Sequence, residues 1–170
     1  MTLQNRPAEG ESWDERSLLL TMLMFTQDVA LWKVRGLSEE QARATPLPTS
    51  PLMAPANILN HLRWVERSWI KDDILGVGSN RPGSGEHPDA DFEEGSTLPL
   101  DEVIRRYEEG VARTRAFFAD ADLDAPTALQ PPDVPMTVRW VLLHLIEETA
   151  RHNGHLDLLR EMADGEVGYY

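Results

Sequence analysis

Hydrophobic residues recur at helical spacing in four stretches of the chain, and no segment shows the alternation typical of a strand. We therefore predict four helices, covering about Ser12 to Arg35, Ala54 to Leu75, Leu100 to Ala119 and Thr137 to Ala163. Helices of similar length around one core predict an all-α four-helix bundle. A chain of 170 residues has the usual size of one domain, so residues 1–170 are expected to form a single bundle domain.

Each predicted helix has one stripe of side chains that we expect to face the core. In the first helix the stripe consists of Leu18, Met22, Phe25, Val29 and Trp32. In the third helix it consists of Val103, Tyr107, Val111, Thr114 and Phe118. In the last helix it consists of Val141, Leu142, Leu145, Leu159 and Met162.

Residues suited to helix ends and loops mark the boundaries of these elements. Ser38 with Gln41 can cap one short helical turn after the first helix. Thr137 suits the N-cap of the last helix, and Gly165 suits its C-terminal stop. The stretch Gly76–Ser96 is rich in glycine, proline and acidic residues, so it predicts a loop, which we expect to be mobile.

The charge balance and the cysteine count limit the kinds of partner and chemistry. The net charge of −13 means that most of the surface repels a phosphate backbone, and no lysine and arginine cluster in the sequence suggests a local exception. Nucleic acids and anionic membranes are therefore not expected as partners. Because the chain has no cysteine, disulfides and thiolate ligands are excluded, and any metal is left to histidines and carboxylates.

The apolar segments near the N-terminus do not predict a membrane protein. The longest apolar run, Leu18–Phe25, is too short to span a bilayer. The opening MTLQNRPAEGESWDERS lacks the basic start and apolar stretch of a signal peptide. A cytoplasmic location is expected.

Polar groups interrupt the apolar stripe of the last helix. The stripe spacing predicts hydrophobic side chains near positions 148, 152 and 155, but the sequence has Glu148, His152 and His155. At about 100° per residue, Glu148 and His152 differ in direction by ~40°, so they share the side that faces the core. A buried carboxylate costs several kcal/mol unless it is paired, and a divalent cation is one such partner. The pattern thus indicates a metal site inside the protein.

Three pairs on this helix have the spacing to chelate one ion: His144 with Glu148, Glu148 with His152, and His152 with His155. All four residues cannot share one ion, because Glu148 and His155 lie ~10 Å apart along the helix axis. A further ligand has to come from another helix. His61 is the histidine of the second helix, and its position between Ile58 and Val65 predicts that it points inward.

A structural alternative applies to each of these residues taken singly. An inward histidine is often a core residue hydrogen-bonded to a neighbour. A Glu and a His four residues apart are also common on solvated helix faces. The coincidence of inward polar groups on two helices favours a shared ion in the core.

Three stretches of the chain resemble the DinB-like superfamily: LWKVRGLSEEQARATPLP, NHLRWVERSW and RWVLLHLIEETARHNGHLDLLRE. Within it, the chain is similar to actinobacterial single-domain proteins related to the mycothiol-dependent maleylpyruvate isomerases. The resemblance extends over nearly the whole chain, and the third stretch is its most specific part.

The resemblance implies a four-helix bundle of the DinB/YfiT-like metalloenzyme type, often dimeric, with a divalent metal. The ligands it implies are His61, Glu148 and His152, while His155 would line the pocket. Similar proteins are thiol transferases that use mycothiol or bacillithiol, with zinc lowering the pKa of the thiol. The isomerases carry an additional C-terminal domain that this chain is not expected to contain, so their substrate is not carried over.

The leading hypothesis is a metal-dependent S-transferase that joins a low-molecular-weight thiol to a small electrophile. Zinc is the favoured metal, with nickel or iron as alternatives, and His144 or His155 would shuttle a proton or orient a ligand as pocket residues. A homodimer is expected. The second hypothesis is a non-catalytic bundle dimer that binds a metal or ligand, and the third is an interaction module whose acidic face docks a basic partner.

Overall fold

The computed structural model describes residues 14–83, 85–133 and 135–168, and these form an all-α structure. Its six α-helices are α1 (Glu15–Val34), α2 (Glu39–Arg43), α3 (Pro55–Ser68), α4 (Ala90–Thr97), α5 (Leu100–Asp120) and α6 (Val138–Asp164). Helix α3 continues directly into a π-helical segment, Trp69–Ile74. The described residues contain no strand, only an isolated bridge between Pro126 and Thr137. The predicted all-α class is confirmed.

The four predicted helices correspond to α1, α3 with its π-helical extension, α5 and α6. The predicted caps are also present: Ser38 and Gln41 form a capping box at α2, and the Thr137 hydroxyl accepts a hydrogen bond from the backbone N–H of Trp140. Gly165 follows α6 with a φ of 79°, a backbone conformation that suits glycine. Ser12, the predicted start of the first helix, lies outside the described residues, and α1 begins after the N-cap Asp14.

The prediction that Gly76–Ser96 is a loop is wrong for its last third, because α4 begins at Ala90 and continues through this stretch. The glycine in the middle of α4, Gly95, lowers helix propensity, and this favoured the loop interpretation. The close packing of α4 on α3 compensates for that weak propensity.

The long helices pack around two neighbouring apolar clusters. Helix α1 packs along α5 and α6, and α3 packs on α5, α6 and the short helix α4. One cluster includes Leu59, Tyr107 and Leu156, and the other includes Leu23 and Leu145. Along α6 the candidate ligand segment lies between Leu145 and Leu156, where one cluster gives way to the other.

The predicted core-facing stripes hold for α5 but only in part for α1 and α6. Each of the five predicted residues of α5 is buried. In α1 the buried residues are Leu23, Thr26, Gln27, Val29, Ala30, Lys33 and Val34, so the buried face is rotated by about one residue from the prediction. Met162 of α6 is 58% exposed, since Leu159 and Arg160 occupy the buried positions of that turn.

Helix α1 is long and apolar enough to cross a membrane by length and composition. Its longest uninterrupted apolar run, Leu18–Phe25, is much shorter than the helix. In the folded chain α1 lies against α5 and α6 and buries Gln27 and Lys33 there, as the core helix of a soluble protein does.

Candidate metal centre

Three side chains from two helices converge in the interior: His61 of α3, and Glu148 and His152 of α6. Their nearest potential ligand atoms all lie within 4.8 Å of one another. Glu148 Oε1 is 3.5 Å from His61 Nε2 and 3.4 Å from His152 Nε2. Both rings are buried, and the carboxylate is half-buried. The structure therefore brings together one of the three possible pairs on α6 with the expected histidine of α3.

The local fold explains why these groups face inward. Glu148 and His152 are four residues apart on α6, so their side chains lie one above the other on the same face. Leu145 and Leu156 place that face in the core, because both are buried against other helices. On α3, His61 and the neighbouring Leu62 are both buried. Apolar packing thus orients the polar groups.

A fourth residue, Asp91 of α4, holds His61 from behind. Its Oδ2 lies 2.7 Å from His61 Nδ1, and Arg81 donates to the same oxygen at 2.7 Å. Asp91 is fully buried. The ring of the next residue, Phe92, stacks on His61 with centroids 4.0 Å apart. One side of the His61 ring is therefore fixed by two consecutive residues of α4.

Asp91 and Phe92 were missed by the sequence analysis because they fall in the predicted loop. A signal was present, since Pro88 and Asp89 precede an acidic first turn, a common start for a helix. Gly95 obscured it. The pairing of Asp91 with His61 across thirty residues has no counterpart in local sequence.

Helix α4 reaches His61 because Gly95 lets it approach α3 closely. A Cβ at this position would lie 2.7 Å from the Cα of Asn57 and 3.0 Å from the backbone oxygen of Ala56. Glu94 then ties the helices together, since its Oε2 accepts from Asn60 at 3.0 Å and from Arg63 at 2.8 Å. The absence of a side chain at Gly95 is thus a condition for the Asp91–His61 contact.

Electrostatic interactions favour the charged forms of Glu148, His61 and Asp91. The His152 and His61 rings hold the pKa of Glu148 well below its ordinary value, against the opposing effect of burial. Burial lowers the pKa of His61, but the carboxylates of Asp91 and Glu148 outweigh it and leave the pKa raised. Burial raises the pKa of Asp91, but His61 and Arg81 outweigh it, so its pKa is lowered. Both carboxylates are therefore anions at neutral pH.

The spacing and the proton arrangement fit a divalent cation. Two ligand atoms bound ~2.1 Å from a tetrahedral ion lie about 3.4 Å apart, close to both distances from Glu148 Oε1. With Asp91 accepting from Nδ1, the Nε2 lone pair of a neutral His61 faces the lone pairs of Glu148. Two acceptors in that arrangement repel unless a proton or a metal ion lies between them. The carboxylate behind the histidine is also the usual support for a histidine ligand.

The other two candidate histidines of α6 lie in different surroundings. His155 is half-buried beside the centre, and its Nδ1 is 3.4 Å from the Nδ1 of His152. Burial lowers the pKa of His155, and the neighbouring His152 and Arg151 lower it further. His144 instead stacks on Trp140 with centroids 5.3 Å apart and meets the edge of Trp69. The centre and the Trp69–Trp140 cluster occupy different turns of α6.

The fold and the site together define an all-α protein with a candidate centre for one divalent metal ion. The sequence model of a family described as mycothiol S-transferase matches residues 18–165. Since this match covers most of the chain, the protein belongs to the mycothiol S-transferase family, which is DinB-like. The predicted superfamily is confirmed. Comparison with curated proteins found no match.

Proposed function

We propose that the protein is a metal-dependent transferase that joins mycothiol to a small electrophilic molecule. The observation that carries the proposal is the convergence of His61, Glu148 and His152, with Asp91 behind His61. Membership of the mycothiol S-transferase family supports the identity of the thiol. The acceptor is proposed only by class, as an electrophile small enough to reach a half-buried centre.

His61, Glu148 and His152 would hold the cation. Two histidines and one carboxylate leave coordination positions for other ligands, as catalytic rather than structural sites do. Zinc is favoured by this ligand set, and nickel or iron are alternatives because nitrogen and oxygen ligands discriminate weakly among them. A bound divalent cation would lower the pKa of a thiol from its ordinary value near ~8.5, so that thiolate is available at neutral pH.

Residues of the chain would orient the reactants and take up the proton of the thiol. The carboxylate of Asp91 keeps the Nδ1 proton of His61 in place and directs Nε2 toward Glu148. His155 lies beside His152 at the edge of the centre, so we assign it the role of orienting the thiol or accepting its proton. His144 is a weaker candidate for that role, since its ring contacts are with Trp140 and Trp69.

We further propose a cytoplasmic homodimer. Large apolar side chains point outward along α6 over roughly 33 Å, a length that follows from 1.5 Å per residue. They are Trp140, Leu143, Leu158 and Met162. A second copy of the chain would cover this face. Cytoplasmic location fits a chain without cysteine that uses a small thiol.

The test is turnover and metal content in three single variants. Purified protein with one equivalent of zinc is given mycothiol and monochlorobimane, and the fluorescent adduct is followed. His61→Ala and His152→Ala are expected to lose at least a hundredfold in kcat/KM and to bind substoichiometric zinc while keeping helical circular dichroism. His87→Ala is the matched control, because His87 is exposed and lies outside the centre.

The outcomes separate this function from its alternatives. Retained turnover in both site variants would end the proposal. Tight zinc binding by the wild type without turnover of mycothiol against a panel of electrophiles would reject the transferase and favour a non-catalytic metal-binding protein. Failure to bind zinc, nickel or iron would reject both.

A further inference from the structure

A groove between α3 and α5 lies on a different side of α3 from the candidate metal centre. Its cavity has a volume of about 210 Å³. It is lined by Arg63, Arg67, Ile70, Lys71, Leu75, Gly110, Arg113, Thr114 and Phe117. None of these is a candidate ligand of the metal centre. We refer to this cavity as the basic groove.

The charge of the basic groove is opposite to that of the chain. Four of its nine lining residues are basic and none is acidic, whereas the chain has 29 acidic and 16 basic residues. Three of the cations, Arg63, Arg67 and Lys71, recur every four residues along α3 and the π-helical segment, and Arg113 joins them from α5 in the folded chain. The expectation that the acidic surface contains no local cluster of basic residues is therefore wrong.

The cations of the groove are only partly neutralised by neighbouring acids. Arg63 bonds to Glu94 at 2.8 Å, but Arg113 is 3.9 Å from Glu109, and Arg67 donates instead to the backbone oxygen of Ser79. In the described part of the chain Lys71 has no ion pair. Arg67, Lys71 and Arg113 therefore line one cavity with little neutralisation by acidic side chains, although Arg67 also lies over the ring of Trp64.

The pKa of Arg63 reflects this crowding. Burial lowers it, Glu94 opposes that effect, and the nearby cations Arg106, Arg67 and Arg113 lower it further. An anion in the groove would relieve the repulsion. Arginine guanidinium groups recognise carboxylate and phosphate oxygens through paired N–H donors.

The floor of the groove is apolar. Ile70 and Phe117 line it, and the Thr114 side chain is buried and hydrogen-bonded to Glu66. Gly110 leaves room there: a Cβ at this position would lie 3.4 Å from the Cγ of Arg63, so a larger side chain would project into the cavity. A glycine inside a helix costs about 1 kcal/mol relative to alanine, so its presence in α5 suits an opening more than helix stability.

The size of the groove limits the ligand. A volume of about 210 Å³ corresponds to roughly seven water molecules at ~30 Å³ each. Pockets for drug-sized ligands run from about 300 to 1,000 Å³. A compact ring or a short acyl chain carrying one anionic group therefore fits, with the ring on the floor and the anion at the rim.

We propose that the basic groove is a binding site for a small amphipathic anion, namely one carboxylate or phosphate on an aromatic or short aliphatic body. The site is separate from the metal centre and does not rest on the proposed transferase activity. Charge complementarity selects the anion, and the apolar floor selects the body.

The experiment uses isothermal titration of the whole protein with 1-naphthoate, 1-naphthyl phosphate and the neutral 1-naphthamide. Both anions are expected to bind at one site per chain, and the amide at least tenfold more weakly. The double variant Lys71→Gln/Arg113→Gln should weaken naphthoate at least tenfold and change naphthamide less than twofold. Arg105→Gln/Arg139→Gln removes one exposed and one partly buried charge outside the groove and should bind naphthoate as the wild type does.

Two further variants locate the ligand. Gly110→Leu fills the floor without lowering helix propensity and should abolish binding of all three probes, with thermal melting confirming the fold. His152→Ala, and the wild type in a chelator, should bind naphthoate unchanged. Binding lost in His152→Ala would place the anion at the metal centre and overturn the proposal. Equal affinity for naphthoate and naphthamide, or full binding by Lys71→Gln/Arg113→Gln, would overturn it as well.

Discussion

Replacing Asp91 tests whether α4 contributes to metal affinity through His61. Asp91→Asn keeps the size of the side chain and an oxygen that can accept the Nδ1 proton, but it removes the negative charge. Asp91→Ala removes both the charge and the hydrogen bond. Because Asp91 is fully buried and 2.7 Å from Nδ1, no solvent molecule replaces it easily.

The expected magnitude follows from two independent estimates. Losing a carboxylate that supports a histidine ligand typically weakens metal affinity 10- to 100-fold, or about 1.4 to 2.7 kcal/mol. A hydrogen bond to a charged group contributes about 1.5 to 3 kcal/mol. We therefore expect zinc affinity about 10-fold weaker in Asp91→Asn and about 100-fold weaker in Asp91→Ala. The ion pair with Arg81 adds little, since Arg81 is partly exposed and can be rehydrated.

Zinc affinity is measured by competition with a chromogenic chelator at several pH values. Asp91 also raises the pKa of His61. Removal of Asp91 therefore reduces the competition between protons and zinc for His61, and this restores part of the zinc affinity at lower pH. The full loss should appear at alkaline pH. Asp89→Asn is the matched control, because it is the same substitution on an exposed residue directly before α4. Affinity within twofold of the wild type in Asp91→Ala would refute the reasoning.

A second perturbation reaches the same contact through the backbone. In Gly95→Ala the new methyl group would overlap the Cα of Asn57, so α4 has to move away from α3 and carry Asp91 with it. We expect a loss of about 1 to 3 kcal/mol in stability together with weaker zinc binding. Gly154→Ala in α6 is the control: open space surrounds that position, and stability should rise by up to about 1 kcal/mol. Unchanged stability in Gly95→Ala would show that α4 is not held by this packing.

Two other features lead to predictions of their own. Burial raises the pKa of Glu66, with Gln27 and Thr114 offsetting the shift only in part, and its Oε2 has no hydrogen-bond partner in the described residues. The folded chain therefore retains a proton that the unfolded chain releases near pH ~4.3, so stability falls as pH rises from there to the folded pKa, by about 1.4 kcal/mol per pH unit. In urea titrations at several pH values, Glu66→Gln should lack this fall in the free energy of unfolding and should be more stable than the wild type at pH 7. If the two proteins gave parallel curves of unfolding free energy against pH, the prediction would be contradicted. For the dimer, Leu143→Glu/Leu158→Glu should halve the mass found by light scattering, whereas a monomeric wild type would exclude the interface on α6.

The candidate metal centre shows which of its residues the sequence could bring together and which it could not. Glu148 and His152 could be found because four residues along a helix always place two side chains on the same face. His61 could be found because its helix has a clear apolar stripe beside it. Asp91 could not, since its partner is thirty residues away and its own helix is short and weak in propensity.

Local patterns by themselves determined the all-α class, the approximate bounds of the long helices, the caps at Ser38 and Thr137 and the buried stripe of α5, because these depend on interactions within a few residues. Only the tertiary structure decided the rotation of α1, whose apolar residues surround the helix and leave no single stripe. It also decided that α4 forms, since packing on α3 stabilises that helix. The basic groove depends on both: helical spacing aligns Arg63, Arg67 and Lys71, but Arg113 and Phe117 join them only when α5 packs on α3.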